Sequence, residues 1–490
     1  MTEAVDRRRV TDAVDRLCGE LSQGLPAELR RPFDEVRETL HAPLRLAVVG
    51  RVKAGKSTLV NALVGRRVAP TSAGECTQVV TWYTYGSPDR AEVHLLDGST
   101  RPLFLENGAV PASLDVPVSD VRRIVVHLQA GALRDVTLID TPGLATLTAA
   151  NEDATRRALL GDGSSTAAAG DADALLFAIR EAERQDDFDF LRDFHRASGS
   201  LAATAVNALC VLTQADLFGD GDLSAGDPFE IARGVAARIA MEHPTDFSAV
   251  VPVSGLLAQT ARTGLVTEHL TRSLRQLEAA DPVLLQLWRQ IGPPEGLGEA
   301  EMTALWESIG PYGVVAGRSV AAQGAAGLRT WLAATSGLED LDTAIRRQLL
   351  PRAHLIKAMR ALSVVATLVP GLPDAEEARA RLEGAQLDPA LHPLAELRAL
   401  RLLTAHAPDS PLLGRLESIV DDPDRVTREA AGQDTGTDAG GAATATLLRR
   451  ASAHAVGEAA RTVVPAEIEA ARVLARSYQL LARRVAGSRS

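Results

Sequence analysis

The chain has 490 residues, more than one compact core usually holds, so we expect two or three domains. A formal net charge of −11 argues against nucleic acid as the main partner, because contacts with phosphates need a basic surface. Three widely spaced cysteines, Cys18, Cys76 and Cys210, predict neither a disulfide framework nor a zinc site and favour a reducing cytosol. The longest apolar run, 362–369, is too short to cross a bilayer and the N-terminus is charged, so we expect a soluble or peripheral protein.

A helical pattern opens the chain. Apolar residues recur at helical spacing over the first 25 residues, are interrupted at Pro26, and resume through Phe33, Val36 and Leu40. The first stripe consists of Val10, Val14, Leu17, Leu21 and Leu25. We therefore predict an N-terminal helical segment over 1–42.

Strand-like runs alternate with helical segments between 43 and 262. They lie at 44–50, 79–86, 122–128, 136–140, 174–179, 208–213 and 250–254. This alternation predicts an α/β domain with a mostly parallel sheet, helices on both faces and ligands at the carboxyl ends of the strands.

The region 263–490 contains no convincing strand and is predicted to be all-α. Residues 339–368 and 374–387 have the pattern of long helices, and 430–445 is a flexible, low-complexity interruption. A last helix over 462–485 carries an apolar stripe of Val464, Ile468, Ala471, Leu474, Leu481 and Val485. The striped helices at the two chain ends could bury their stripes on each other, or each could pack separately on the helical domain.

The sequence GRVKAGKS at 50–57 is a candidate phosphate-binding loop. It matches G-x-x-x-x-G-K-S between an apolar strand and a helix, which is the context that this motif requires. Lys56 can bridge the β- and γ-phosphates, and the Ser57 hydroxyl can ligate Mg²⁺. The predicted nucleotide contacts of this loop are Gly50, Val52, Lys53, Ala54, Gly55, Lys56, Ser57 and Thr58.

A second motif, LIDTPG at 138–143, follows the phosphate loop in the order that a GTPase needs. Asp140 can hold a Mg²⁺-bound water, and the Gly143 N–H can contact the γ-phosphate. Between the two motifs, Thr71 and Thr77 are both candidates for a further Mg²⁺ ligand, and their spacing does not decide between them.

Two later motifs predict a guanine pocket. In VLTQAD, Asp216 can accept hydrogen bonds from N1–H and the exocyclic amine of guanine, a donor pair that adenine lacks. In VPVSGL, Ser254 and Gly255 would complete the pocket. Thr213 and Gln214 stand where Asn and Lys are usual, so we predict retained guanine selectivity with weak, micromolar binding of about −8 kcal/mol or poorer. The expected ligands are GTP or GDP with Mg²⁺.

The segments KAGKSTLVNALVG, APTSAGECTQVVTW, LIDTPG and VPVSGLLAQTAR resemble those of bacterial dynamin-like GTPases. The resemblance is to the isoniazid-inducible dynamin-like proteins of mycobacteria and their actinobacterial relatives, and it extends into 336–362. It implies a dynamin-type GTPase domain over 43–262, with a helical neck and trunk built from 1–42 and 263–490. It also favours Thr77 over Thr71 as the switch residue.

The same resemblance implies self-association through the GTPase faces, pairing with a second dynamin-like protein, and a trunk that contacts lipid. Hydrolysis would be coupled to membrane remodelling at the cytoplasmic side of the cell membrane. Two segments are candidates for lipid contact: the apolar stretch 362–375 and the arginine-rich C-terminal helix. For both, the alternative is ordinary packing in a helical core.

The phosphate loop carries a second lysine, Lys53. Eukaryotic dynamins have a serine at the corresponding position, which helps to hold a monovalent cation. We hypothesise that the Lys53 ammonium supplies that charge and acts in catalysis with Lys56 and Thr77. The alternative is a lysine directed into solvent.

The residue after DTPG is Leu144, so the chain lacks a glutamine there to orient the attacking water. The leading hypothesis is an assembly-driven dynamin-like GTPase. The alternatives are a non-hydrolysing, nucleotide-binding partner of another dynamin-like protein and a GTPase associated with RNA or ribosomes.

Overall fold

The computed structural model describes residues 3–70, 79–142, 172–180, 206–219, 226–294, 296–385, 387–432 and 441–487. Over these ranges, one β-sheet occupies the middle of the sequence and helices occupy both ends.

The sheet has nine strands over the described ranges. They are β1 (Leu44–Gly50), β2 (Thr81–Tyr85), β3 (Arg90–Leu95), β4 (Thr100–Leu103), β5 (Val121–Leu128), β6 (Val136–Asp140), β7 (Ala174–Ile179), β8 (Ala208–Thr213) and β9 (Val250–Val253). Their spatial order is β4-β3-β5-β2-β6-β1-β7-β8-β9. The β6-β1-β7-β8-β9 half is parallel throughout, and the antiparallel pairs are β2–β6, β3–β4 and β3–β5. The predicted fold class, a mostly parallel sheet in an α/β domain, is confirmed.

Two of these strands, β3 and β4, were not among the strand-like runs of the sequence. They form an antiparallel hairpin at one edge of the sheet, and Asp97 and Gly98 lie in its turn. An Asp-Gly pair between alternating apolar and polar residues is a strong hairpin signal, so the sequence contained the information.

In the described part of the α/β region there are three helices: α3 (Lys56–Val64), α4 (Pro228–Glu242) and α5 (Gly255–Arg262). Helix α4 begins where the Asp227 side chain accepts a hydrogen bond from the Phe229 N–H and Pro228 occupies the first turn, a favourable helix start. Apolar cores lie on both faces of the sheet, one with Phe177 and Leu212 and the other with Leu176 and Val211. Alternate residues of each buried strand point to opposite faces, which explains this division.

The remaining helices lie at the two chain ends. The N-terminal pair is α1 (Glu3–Ser22) and α2 (Ala27–His41). After the sheet come α6 (Glu268–Gln276), α7 (Pro282–Gln286), α8 (Trp288–Ile291), α9 (Glu299–Gly317), α10 (Gly324–Thr335), α11 (Leu338–Ala344), α12 (Ala353–Leu368), α13 (Ala375–Ala385), α14 (His392–His406), α15 (Leu413–Asp421), α16 (Pro423–Ala431), α17 (Gly441–Ala459) and α18 (Pro465–Gly487). No strand follows β9 in the described part of the chain, as expected for the C-terminal region.

The segment 339–368, expected to be one long helix, is interrupted. Helix α11 is followed by a π-helical turn, Ile345–Leu349, and α12 begins only at Ala353. Pro351 lies in the gap, and a proline has no backbone N–H for the helical ladder. The interruption separates two regions that pack in different places.

The packing divides the helices into two groups. Helices α6 to α10 contribute to the core on one face of the sheet, and α11 contributes to the core on the other. Helices α1, α2, α12 to α15, α17 and α18 form a separate helical core. The domain boundary after residue 262 stays a prediction. Helices α6 to α11 follow that boundary in the sequence but pack on the sheet.

The helices at the chain ends pack separately, which is the second of the two alternatives for their stripes. Helix α1 packs on α2 and α12, whereas α18 packs on α17 and α14. The stripe residues Val10, Val14 and Leu17 of α1 and Leu474 and Leu481 of α18 are all buried and belong to the same helical core.

Helix α12 and the turn after it form the apolar segment considered for lipid contact. By length and composition, Ala353–Gly371 could cross a membrane, and 39% of it is buried inside the protein. The helix packs against α1, α2 and α14, as a core helix does. The C-terminal helix also directs its apolar residues inward, and Arg484 forms an ion pair of 2.6 Å with Asp424. Both segments contribute to the helical core, and their contact with lipid stays a prediction.

Candidate functional site

The phosphate loop connects β1 to α3. Gly50 ends the strand, in register with Ala178 of β7, and Gly55 is the cap residue before the first turn of α3. The loop places the N-terminus of a nine-residue helix at the carboxyl end of the parallel strands, where backbone N–H groups favour anions. Along the loop, Val52 and Lys53 are exposed, Ala54 and Lys56 are buried, and Gly55, Ser57 and Thr58 are half-buried.

Lys56 is held inside the loop. Its Nζ donates hydrogen bonds to the carbonyl oxygens of Gly50 (3.0 Å) and Arg51 (2.9 Å). Burial lowers the pKa of Lys56, and the nearby Asp140 carboxylate works in the opposite direction. Phosphate oxygens are stronger acceptors for an ammonium group than neutral carbonyls, so the loop holds this amine ready for an anion.

The two predicted magnesium ligands that the structure describes lie together. The Ser57 hydroxyl donates to Asp140 Oδ2 at 3.1 Å, and Asp140 ends β6 beside β1. Burial raises the pKa of Asp140 to about 6, although Lys56 and the Ser57 hydroxyl act to lower it. A buried carboxylate with incomplete compensation gains from a nearby cation, and hydroxyl and carboxylate oxygens are ligands that Mg²⁺ prefers. The residues therefore fit a magnesium site completed by nucleotide phosphates.

Asn61 fixes the chain that leads into the region of the two candidate threonines. This buried side chain on α3 accepts from the backbone N–H groups of Val68 and Ala69, both at 2.8 Å. It donates to the Ala69 carbonyl at 3.0 Å and to Gln259 Oε1 of α5 at 2.9 Å. All four hydrogen-bonding positions of the amide are thus used, which fixes the loop entry against both helices.

The predicted base-recognition residues also meet at the carboxyl end of the sheet. Asp216 lies in a short 3₁₀ helix after β8, and Ser254 caps α5 after β9 by accepting from the Leu257 N–H at 3.3 Å. Burial raises the pKa of Asp216, and its hydrogen bond with the Ser254 side chain lowers it. A side chain added at Gly255 would lie 3.4 Å from Thr58 of the phosphate helix, so the two motifs are adjacent.

We use the name base loop for residues 213–217, after β8, together with residues 252–256, at the end of β9. Thr213 and Gln214 link this base loop to the phosphate loop. Thr213 donates to the Ile179 carbonyl at 2.9 Å, which ties the end of β8 to β7. Gln214 has a positive φ of 55°, and its Nε2 lies 3.5 Å from the carbonyl oxygen of Lys53, a residue that also has a positive φ, 66°. The glutamine therefore reaches the phosphate loop from the position where a lysine is usual.

Three other predicted or considered residues lie outside the described part of the chain: Thr71, Thr77 and Gly143. Their roles stay predictions. Conversely, three positions that the motifs did not indicate lie against the base loop: Gly310, Ser336 and Gly337. The Gly-Pro pair at 310–311 and the Ser-Gly pair at 336–337 are recognisable as helix breaks, but the sequence does not show what they contact.

Comparison with known proteins shows which family this chain resembles. The family model described as the Dynamin family matches residues 46–168. The isoniazid-induced protein IniC of Mycobacterium tuberculosis is 31% identical over 408 residues, which cover 79% of this chain and 80% of that protein. The bacterial dynamin-like protein of Nostoc punctiforme is 29% identical over 154 residues, covering 28% of this chain and 22% of that protein.

A solved structure of an oligomerised bacterial dynamin pair covers 99% of this chain and 75% of that chain at 14% identity, with a TM-score of 0.31. This overlap is too low to add to the assignment, which rests on the similarity to IniC, together with the matched family model. The chain belongs to the dynamin family, as a bacterial dynamin-like protein related over most of its length to the isoniazid-induced protein IniC.

Proposed function

We propose that this protein binds GTP with Mg²⁺ and hydrolyses it to GDP and phosphate. One observation carries the proposal: the Ser57 hydroxyl and the buried Asp140 carboxylate lie 3.1 Å apart, beside Lys56 and on the sheet edge that also holds Asp216. Phosphate, metal and base ligands thus converge at the carboxyl ends of parallel strands, where α/β proteins bind nucleotides.

The side chains of this site would bind different parts of the nucleotide and its metal ion. Lys56 would exchange its two carbonyl partners for phosphate oxygens, and Ser57 with Asp140 would hold Mg²⁺. The metal supplies charge stabilisation at the phosphates. Asp216 would accept from guanine, and its burial makes an unpaired state costly, so the base is strongly selected.

We further propose that hydrolysis depends on assembly. The sequence has Leu144 after DTPG, so the site lacks a glutamine at that position to orient water, and a facing GTPase domain would complete it. The partner would be a second copy or another dynamin-like protein. The Lys53 side chain is exposed at the phosphate loop, where an ammonium could reach a developing charge between two facing sites.

The proposed setting is the cytoplasmic face of the cell membrane, with peripheral contact to anionic lipid and coupling of GTP hydrolysis to membrane remodelling or maintenance. Membership of the dynamin family supports the coupling of hydrolysis to membrane remodelling. Because the apolar faces of α12 and α18 are used in the helical core, lipid contact would fall on other surfaces or follow a rearrangement.

The decisive experiment measures GTP turnover per molecule over a range of protein concentrations, with and without anionic liposomes. Lys56→Ala serves as the control, because it removes the amine from the phosphate loop. We expect specific activity to rise with concentration or lipid and to vanish in the control. Constant activity per molecule would contradict dependence on assembly.

Turnover that stays negligible under every condition while GTP binds would instead favour a nucleotide-binding partner subunit. In that case the same assay repeated with a second dynamin-like protein should restore turnover. Failure to bind GTP at all would overturn the proposed function.

A further inference from the structure

The base loop is surrounded by helices that lie far from it in the sequence. The Asp216 carboxylate is buried, and the Ser254 side chain is hydrogen-bonded to it. Ser254 itself is fully buried, which is unusual for a residue that caps a helix at the edge of a ligand site. Two breaks in the helices that follow lie against this pair: the one between α10 and α11 contacts Ser254, and the one inside α9 lies beside Asp216.

The first break is the turn Ser336–Gly337, between α10 and α11. The backbone N–H of Ser254 donates to the Ser336 carbonyl at 2.9 Å, and Ser336 is fully buried. Gly337 has φ +75°, and a Cβ at this position would lie 2.1 Å from the Pro252 carbonyl oxygen of β9. The turn therefore rests directly on the backbone that carries Ser254, and a side chain would force the two apart.

The second break lies inside α9, at Gly310 and Pro311. Gly310 has φ +65°, and a Cβ there would lie 3.5 Å from Asp216 Oδ2 and 3.3 Å from the Leu256 side chain. The Thr260 hydroxyl of α5 donates to the carbonyl of Ser308, which anchors the break to the helix that Ser254 caps. Asp216 is therefore enclosed by backbone of α9 on one side and by Ser254 on another.

We propose that Ser336–Gly337 and the break at Gly310 are positioning elements of the guanine site, which set its preference for guanine over hypoxanthine. The inference rests on the proposed function and names the residues that control selectivity. Guanine offers two donors to one carboxylate, so the carboxylate plane must be held correctly for both. Hypoxanthine lacks the exocyclic amine and offers one donor, which tolerates a rotated carboxylate.

The selectivity is sensitive to small shifts, because a hydrogen bond weakens steeply when its donor–hydrogen–acceptor angle departs from a straight line. If the turn displaced Ser254, or the α9 break displaced Asp216, the hydrogen bond from the exocyclic amine of guanine would be the first to lose its alignment. Simple loss of packing would instead weaken binding of both bases equally. The ratio of the two affinities therefore separates positioning from structural support.

The test uses the full-length variants Gly337→Ala and Gly310→Ala, with Gly264→Ala as the matched control. Gly264 also has a positive φ, +78°, but an added Cβ would have nothing within 4 Å. The control thus carries the same backbone strain without a contact at the base loop. The dissociation constants of GDP and inosine diphosphate are measured by titration for each folded variant, with folding checked by circular dichroism.

We expect the preference for GDP over inosine diphosphate to fall by about fivefold or more in Gly337→Ala, corresponding to about 1 kcal/mol, and by less in Gly310→Ala. The Gly264→Ala ratio should equal that of the unmodified protein. An unchanged ratio in folded Gly337→Ala and Gly310→Ala would overturn the inference. If Gly337→Ala does not fold, Gly310→Ala decides, because its contacts of 3.3 to 3.5 Å need only a small adjustment.

Hydrogen exchange on the unmodified protein gives a second measurement that needs no variant. GDP should protect the backbone amides around 308–310 and 336–338 more than inosine diphosphate does at equal saturation. Equal protection by the two nucleotides would contradict the inference. A failure of the proposed function is recognised separately, because the unmodified protein would then show no preference for GDP over ADP.

Discussion

The two ends of the sheet both bury carboxylates, and they stabilise them in different ways. At the nucleotide end, Asp140 has the Ser57 hydroxyl and the charge of Lys56, and Asp216 has the Ser254 side chain. At the opposite end, Asp173 precedes β7 at the junction with α12. Burial raises the pKa of all three carboxyls, so the difference lies in their partners.

Asp173 has charged partners within its own chain. Its Oδ2 accepts from the Arg45 backbone N–H at 2.9 Å, and its Oδ1 lies 3.5 Å from Arg360 of α12. Lys357, one turn earlier on α12, donates to the carbonyl of Ala42, and its charge also acts to lower the Asp173 pKa. This cluster joins the helical core to the sheet.

The comparison shows how a structural carboxylate differs from a ligand-binding one in the same fold. A buried charge that meets cations of its own chain contributes to the native arrangement, and removal of either partner is costly. A buried carboxylate that meets only hydroxyls or a shared cation retains an electrostatic deficit, which a metal or a base with two donors can relieve. The nucleotide end is therefore built to be completed by a ligand.

The largest effect on stability is expected for Asp173→Ala. It removes the buried carboxylate that pairs with Arg360 and accepts from the Arg45 backbone N–H, so we expect the free energy of unfolding to fall by about 4 kcal/mol. Urea denaturation measures this change. The double variant that also carries Arg360→Ala should be more stable than Asp173→Ala alone, and a double-mutant cycle gives the coupling energy of the pair. A loss below about 1 kcal/mol would mean that the junction is not held by this pair.

At the nucleotide end, Asp216→Asn tests whether the carboxylate serves a ligand. We expect GTP affinity to fall about 100-fold, or about 3 kcal/mol, because an amide cannot accept from both guanine donors, whereas stability changes little. Xanthosine nucleotides, which present a carbonyl in place of the amine, should bind the variant better than GTP does. Equal loss for both nucleotides would indicate a structural role like that of Asp173.

The pH dependence of stability tests whether the Asp140 carboxylate is compensated within the chain. Its pKa in the folded protein is about 6 and its ordinary value is 3.8, so between these values the folded state keeps a proton that the unfolded state has released. The free energy of unfolding should therefore decrease as pH rises from about 4 to 6, by about 2 to 3 kcal/mol, and level off above.

The measurement is the difference between the unmodified protein and Asp140→Asn, which cancels the titration of other groups. Without nucleotide, the variant should lack this decrease. A difference between the two proteins that stays constant from pH 4 to pH 7 would show that Asp140 is already compensated inside the chain.

The smallest expected effect is the change in GTP turnover on replacing Lys53, which differs from Lys357 in its surroundings. Lys357 is buried with the Ala42 carbonyl as a partner, whereas Lys53 is exposed at the phosphate loop. If Lys53 supplies the charge of a monovalent cation, hydrolysis should be indifferent to exchange of K⁺ for Na⁺ or Cs⁺. Lys53→Ser should then slow turnover about tenfold, equal to about 1.4 kcal/mol, and K⁺ should restore it. Strong cation dependence of the unmodified protein would exclude this role.

Much of the fold follows from local patterns in the sequence. The runs at 44–50, 136–140, 174–179 and 208–213 are strands with those bounds, because continuous apolar runs between turn residues form buried parallel strands. The helix over 339–368 was wrong as a single element, since Pro351 and a π-helical turn divide it. Residues 90–103 were missed as a hairpin although Asp97 and Gly98 mark its turn.

The sequence alone predicted the phosphate loop, the Ser57 and Asp140 pair and the placement of Asp216, which we propose binds the base. The spacing of these residues from strand ends is a local property that the parallel sheet converts into proximity. Only the tertiary structure decided which distant segments enclose that site. The contacts of Gly310 and Ser336 with the base loop, and of Arg360 with Asp173, join residues far apart in the chain. Such contacts depend on how whole helices pack, which no periodicity within one segment specifies.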